Sequence, residues 1–203
     1  MSLIPAFEIG VWNAWIFIFP YLLINLGLPF LIGNKGAAQF IWPPYNKKER
    51  KLRGINMVTF FGPWIYSVFL PLKLGTAWFY AGLFIYLLGM IFVTVATLNF
   101  ATTPLDKPVT KGVFRISRNP MTLGGFLALV GIGIVCASWI LLLCAMVFIV
   151  LQQTLVIAEE RMCLEKFGNA YQEYMNRTPK WIGLPKSGES KPQGGNHVAY
   201  TSF

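Results

Sequence analysis

Several long stretches of this chain contain no charged residue, and that feature narrows what it can fold into more than any other. In the hydrocarbon of a bilayer each backbone N–H and C=O must be satisfied within its own segment. About 20 apolar residues of helix cover the ~30 Å thickness. Uncharged apolar runs at 10–33, 54–71, 74–98, 121–135 and 139–157 meet or approach that length. Only 12% of the residues are charged, about half the fraction usual in a soluble domain. The fold class expected is therefore all-α, a polytopic membrane helical bundle of about five transmembrane helices.

The runs differ in quality. Pro20 and Pro29 interrupt the first, which predicts a kinked helix. Pro63 lies in the second, the third is the least ambiguous, and the last two are separated only by Cys136, Ala137 and Ser138. So short a link makes a C-terminal helical hairpin, and its first arm is brief for a full crossing, so a buried re-entrant pair is the alternative.

Charge then orients the bundle. With five crossings, Lys73 lies on one side and the other sixteen of the seventeen Lys and Arg lie opposite. Basic residues favour the cytosolic side, which places the N-terminus outside and the C-terminus in the cytosol. The net charge of +9 is thus membrane topology, not a sign of a nucleic-acid partner. Residues 1–98 form the expected N-terminal part with transmembrane helices 1–3. Residues 99–186 form the expected C-terminal part, with helices 4–5 and a cytosolic helix. Residues 187–203 read as a disordered tail, and the only histidine, His197, lies there without a catalytic role. Residues 1–8 carry no Lys or Arg and predict no removable signal peptide. Cys136, Cys144 and Cys163 form no C-x-x-C pair and support neither a metal site nor a disulfide framework.

Two basic-side segments stand out, K-G-V-F-R-I-S-R-N-P-M-T-L-G at 111–124 and E-E-R-M-C-L-E-K-F-G-N-A-Y-Q-E-Y at 159–174. Asn119 followed by Pro120 reads as an N-cap and N1 pair opening a helix. Leu164, Phe167, Tyr171 and Tyr174 recur at three- and four-residue steps, the apolar stripe of an amphipathic helix. Glu160 falls four residues before Leu164 and so lies on that stripe, and no Lys or Arg follows either Glu159 or Glu160 by four positions. An inward acid beneath a membrane span is a functional-site candidate. The helix N-terminus near Pro120 offers N–H groups to a carboxylate or phosphate. Together these features suit a nucleotide cofactor that bears an amino acid.

The two segments resemble the paired C-terminal motifs of the isoprenylcysteine carboxyl methyltransferase and phospholipid methyltransferase families of integral membrane enzymes. In the first motif, L-V-x-x-G-x-Y-x-x-x-R-H-P-x-Y-x-G, the aligned residues are Pro108, Val109, Gly112, Phe114, Arg118, Asn119, Pro120, Thr122 and Gly124. The second, E-E-x-x-L then F-G-x-x-Y-x-x-Y, is met by Glu159, Glu160, Phe167, Gly168, Tyr171 and Tyr174, with Cys163 in place of Leu. The resemblance covers roughly 99–183. It implies that 99–186 is the C-terminal catalytic region and that S-adenosyl-L-methionine is the cofactor, held in a cytosolic cofactor pocket and contacted by Asn99, Asp106, Lys107, Pro108, Val109, Phe114, Asn119, Pro120, Met121, Thr122 and Glu160. It also implies a lipophilic substrate that enters from the bilayer. Glu160 and Glu159 are the candidate catalytic residues, and no metal is implied. The family's histidine is Asn119 here, and its two pocket tyrosines are Phe114 and Thr122. The arginine that reads a prenylcysteine carboxylate is absent from 152–158.

The expected activity is methyl transfer to a lipophilic small molecule or lipid at the cytosolic face, with membrane lipids as surroundings. Two alternatives stand beside it. A membrane NAD(P)H-dependent reductase of the sterol-reductase kind is suggested by Cys163, Lys166, Phe167 and Gly168. A scaffold without cofactor is suggested by the changes at Phe114, Asn119 and Thr122.

Overall fold

A computed structural model describes residues 10–32 and 45–183. Among them every regular element is helical, without a β-strand. The first apolar run becomes a 3₁₀ turn (Ala14–Phe17), α1 (Ile18–Leu22), a π turn (Leu23–Gly27) and α2 (Leu28–Leu31). Pro20 and Pro29 lack the N–H that an α ladder requires, and the change of register falls between them. The polar connection with Lys35, Pro43 and Pro44, and the tail 187–203 with His197, lie outside the described residues.

The second apolar run is the interior of a longer helix, α3 (Lys47–Ser67), which starts seven residues before the run. Its start is fixed by a capping box. Asn46 Oδ1 accepts from the Glu49 N–H at 2.8 Å, and Glu49 Oε2 accepts from the Asn46 N–H at 2.9 Å. Next come α4 (Ala77–Ala101), capped by the Thr76 hydroxyl, and α5 (Pro120–Val135). α6 (Trp139–Phe167) runs well past the apolar run to carry Glu159 and Glu160. α4 and α6 are long and apolar enough to cross a membrane, while α5 is shorter, at 16 residues. Trp78, Phe84, Ile91, Leu143, Val150 and Ile157 point outward from α4 and α6, as suits a surface covered by lipid.

Two of the interfaces between helices position the site. In the first, α4 and α5 meet through glycines spaced seven apart on each helix, Gly82 and Gly89 facing Gly131 and Gly124. A Cβ added at Gly131 would stand 2.5 Å from the Tyr86 nitrogen, and one at Gly82 2.5 Å from the Val135 nitrogen. Backbone therefore lies against backbone, the close approach that small residues give helices in lipid, where no hydrophobic force drives them together. The hairpin at 136–138 closes with Ala137 in the left-handed region (φ 51°) and the Ser138 N–H donating to the Gly133 carbonyl at 2.8 Å. This is a Schellman ending with alanine where glycine is usual.

In the second interface α3 lies antiparallel on α6, and its contacts change character along the seam. At the charged end Arg161 forks onto Glu49, at 3.2 and 3.1 Å. Further in, Asn56 Nδ2 donates to Gln152 Oε1 at 2.7 Å, and beyond that the Phe60 and Phe148 rings stand 5.0 Å apart.

The expected single helix over 159–174 is two helices. α6 stops at Gly168, whose backbone (φ 53°, ψ −130°) suits glycine, and α7 (Asn169–Arg177) starts there in a new direction. The stripe still closes. Tyr171 and Tyr174 bury against Ala96 and Phe114, with Leu164 and Phe167 packed on the same cluster.

Candidate functional site

The N-terminus of α5 fixes one wall. Pro120 occupies N1 and is fully buried. Asn119 holds the N-cap position, but its side chain accepts no N–H of α5, and its Nδ2 donates to the Lys180 carbonyl at 3.1 Å. That bond, the Arg118 N–H to the Pro179 carbonyl (3.0 Å) and the Gly183 N–H to the Ile116 carbonyl (3.1 Å) strap 179–183 across 116–119. The first turn of α5 is thus left without a side-chain cap, with its N–H groups and partial positive charge beside a cavity.

The cavity, about 510 Å³, lies between α3, α5, α6, α7 and the loop after α4, a size ordinary for a cofactor or small-ligand site. Lys107, Pro108, Val109, Phe114, Asn119, Pro120, Met121 and Thr122 line it, as do Glu159 and Glu160. Asn99 and Asp106 do not. Asp106 is exposed on the loop. Asn99 packs its amide under Gly112, whose positive φ (59°) and missing Cβ make room for it. Asn99 thereby supports the 3₁₀ turn Gly112–Arg115, which carries Phe114 to the cavity.

Glu160 is not unpaired, although its own helix offers no partner. Arg118, from the loop before α5, brings Nη2 to 3.2 Å from Glu160 Oε1, with both side chains about nine-tenths buried. The contact is one of charge more than of hydrogen-bond geometry. Glu160 Oε1 and Arg118 Nε each have no hydrogen-bond partner among the described residues. Two charged groups at a cavity wall thus retain capacity to bond a ligand. Glu159 lines the same cavity, and burial pushes its carboxyl up to about 7; Arg53 opposes the rise and Glu160 adds to it.

The opposite wall comes from residues that motif reading passed over. α3 contributes Arg53, Asn56, Met57 and Phe60, and Tyr45 and Tyr21 also reach the cavity. The signal was present in the sequence. Asn46 and Glu49 are spaced as a capping box, and a helix started there puts Arg53, Asn56 and Phe60 on one face. On the remaining side Tyr174 donates its hydroxyl to the Phe114 carbonyl at 2.7 Å, and burial raises the pKa of both Tyr171 and Tyr174. Cys163 is likewise pushed up by burial, to about 11, and is a poor nucleophile there.

The donor set matches an amino-acid-bearing cofactor. Uncapped N–H groups suit a carboxylate, two acids suit an ammonium or ribose hydroxyls, and Phe114 and Phe167 offer apolar surface. The model of the phospholipid methyltransferase family matches residues 70–170, from the end of the turn after α3 to the start of α7. No curated protein matches the chain.

Proposed function

Taking as premise that the chain belongs, across residues 70–170, to the phospholipid methyltransferase family, we propose that it is a membrane methyltransferase using S-adenosyl-L-methionine. The acceptor in this reading is a lipophilic small molecule or a lipid, approached from the bilayer. The observation that carries it is the junction of the uncapped α5 N-terminus with Glu159, Glu160 and Arg118 at one cavity.

When bound, the cofactor supplies an activated sulfonium methyl. The chain has to hold and align the reactants and keep water away. The N–H groups of the first turn of α5 hold a carboxylate, and Glu160, braced by Arg118, holds an ammonium or a ribose hydroxyl. Phe114 and Phe167 exclude water from one side, and Phe60 and Phe148 from the deeper end. In this reading Glu159 accepts the proton of an amine or thiol acceptor, supported by the raised pKa that keeps its carboxylate basic near neutrality. A carboxylate acceptor needs no base.

The same reading includes five crossings, with α1 and α2 together making the first, the N-terminus outside and the site at the cytosolic face, following the distribution of Lys and Arg. The test is thermal unfolding of the detergent-purified chain with candidate ligands. S-adenosylhomocysteine is expected to raise the Tm and NADPH to leave it unchanged, because only a ligand of the native state stabilises by mass action. Stabilisation by NADPH alone would replace methyl transfer with reduction. Stabilisation by neither would leave a scaffold.

A further inference from the structure

The inner part of the cavity contains a polar group that the cofactor reading does not use. Asn56, on α3, is more than nine-tenths buried, and its Nδ2 donates to Gln152 Oε1 on α6 at 2.7 Å. Gln152 Nε2 in turn points toward Thr122 Oγ1 on α5, at 3.5 Å. All three residues line the cavity. The relay runs in one direction, from Asn56 to Gln152 to Thr122, and at its start Asn56 Oδ1 is buried without a hydrogen-bond partner. Gln152 precedes Glu159 by seven residues, two turns of one helix face, so the relay lies about 10 Å further into the apolar part of the bundle than the carboxylates. Around it stand Phe60, Phe148, Tyr21 and Gly125.

A buried amide oxygen without a partner forfeits the hydrogen bonds it made to water, and polar side chains at membrane depth are expensive unless they serve a ligand or a pathway. Here the unpaired atom is a hydrogen-bond acceptor at a cavity wall, flanked by apolar and aromatic surface. We propose that Asn56 Oδ1 is the recognition point for the acceptor, and that it receives a hydrogen bond from a hydroxyl or amine on a lipophilic molecule whose chain lies against Phe60 and Phe148. The inference rests on the methyl-transfer reading only in calling this ligand the acceptor. Its content is the ligand class, an apolar chain ending in a hydrogen-bond donor. Asn56 lies outside the matched 70–170 region, so the selection is made by this chain's own N-terminal half.

The test compares 1-dodecanol with dodecyl methyl ether, alike in chain but differing in the ability to donate, on the full chain in phosphatidylcholine nanodiscs. Binding is read from the rise in Tm as the mole fraction of each probe increases. The alcohol is expected to bind roughly three- to tenfold more tightly, the net worth of one neutral hydrogen bond. That preference should disappear in Asn56→Leu. The double variant Asn56→Leu/Gln152→Leu, which makes both sides of the seam apolar, should lose it too and guards against a single variant that fails to fold. Equal binding of the two probes to the wild type, tighter binding of the ether, or a preference that survives in the variants overturns the proposal. S-adenosylhomocysteine is titrated into the same nanodiscs. If it stabilises the protein while the probes are not distinguished, the recognition point is refuted and methyl transfer stands. If the probes are distinguished and it does not stabilise, the Asn56 site stands and methyl transfer falls.

Discussion

Raising the pH from 5 to 8 should weaken this fold, and most of the effect should come from Glu159. Burial moves its carboxyl from 4.5 to about 7 in the folded chain, against the partial opposition of Arg53. Below 4.5 the group is protonated whether folded or unfolded and contributes nothing to the pH dependence. Between 4.5 and about 7 the folded state binds the proton more tightly, so stability falls as pH rises, and above 7 the loss is complete. A shift of this size corresponds to about 3 kcal/mol at most, and water entering through the cavity mouth reduces it toward about 2 kcal/mol. Glu49 cannot imitate this. Its hydrogen bonds to Arg161 hold its carboxyl below the usual range, so its contribution is present above that range and is lost only as pH falls. The assay is equilibrium unfolding in detergent at pH 5 and pH 8 for the wild type and Glu159→Gln. The variant should lose the 5-to-8 decline and be the more stable of the two at pH 8. Parallel pH dependences in the two proteins would show that Glu159 is ionised against no penalty, and the argument from burial would fail.

Arg118→Met should destabilise by about 3–5 kcal/mol, because it leaves Glu160 charged and largely buried, whereas Arg118→Met/Glu160→Met should recover most of that loss. Additive losses in the double-mutant cycle would mean the two side chains do not interact. Glu160→Gln is expected to weaken S-adenosylhomocysteine binding by about 1.5–3 kcal/mol in calorimetry, and unchanged affinity would remove it from the site. Gly131→Ala should cost about 1–3 kcal/mol by forcing α4 and α5 apart, while Gly54→Ala, with open space at the Cβ, should be neutral or gain up to about 1 kcal/mol from helix propensity. Equal thermal shifts for the two would refute backbone-to-backbone packing. In a radiolabelled methyl-transfer assay, total membrane lipid should be the better acceptor and a prenylcysteine analogue the poorer. Saturable turnover of the analogue that is lost in Glu160→Gln would show that another arginine reads its carboxylate.

The helical class and the positions of the apolar segments follow from local chemistry, so they could be read along the chain. Length without charge, an N-cap beside Pro120 and two glutamates ahead of an aromatic stripe are each properties of a few consecutive residues. Pairing between helices is not local. The partner of Glu160 is Arg118, 42 positions earlier, and no spacing rule within α6 could have supplied it. Asn119 has the sequence of a helix cap, yet its side chain accepts no N–H of α5, and its Nδ2 donates to the Lys180 carbonyl that the strap 179–183 brings beside it. Asn99 and Asp106 were carried over from the wider resemblance, but only the fold decides which side chains face a cavity, and it turns Asp106 outward and slides Asn99 under Gly112. The opposite wall, with Arg53 and Asn56, shares no motif with Glu159 and Gln152. It meets them because α3 and α6 lie antiparallel, held by charge at one end and by a tilted ring contact at the other. The sequence alone determined the helical class, the apolar segments and which side chains are able to do chemistry. The tertiary structure decided which of them share one cavity, since that depends on contacts between residues tens to a hundred positions apart, where local propensity has no influence.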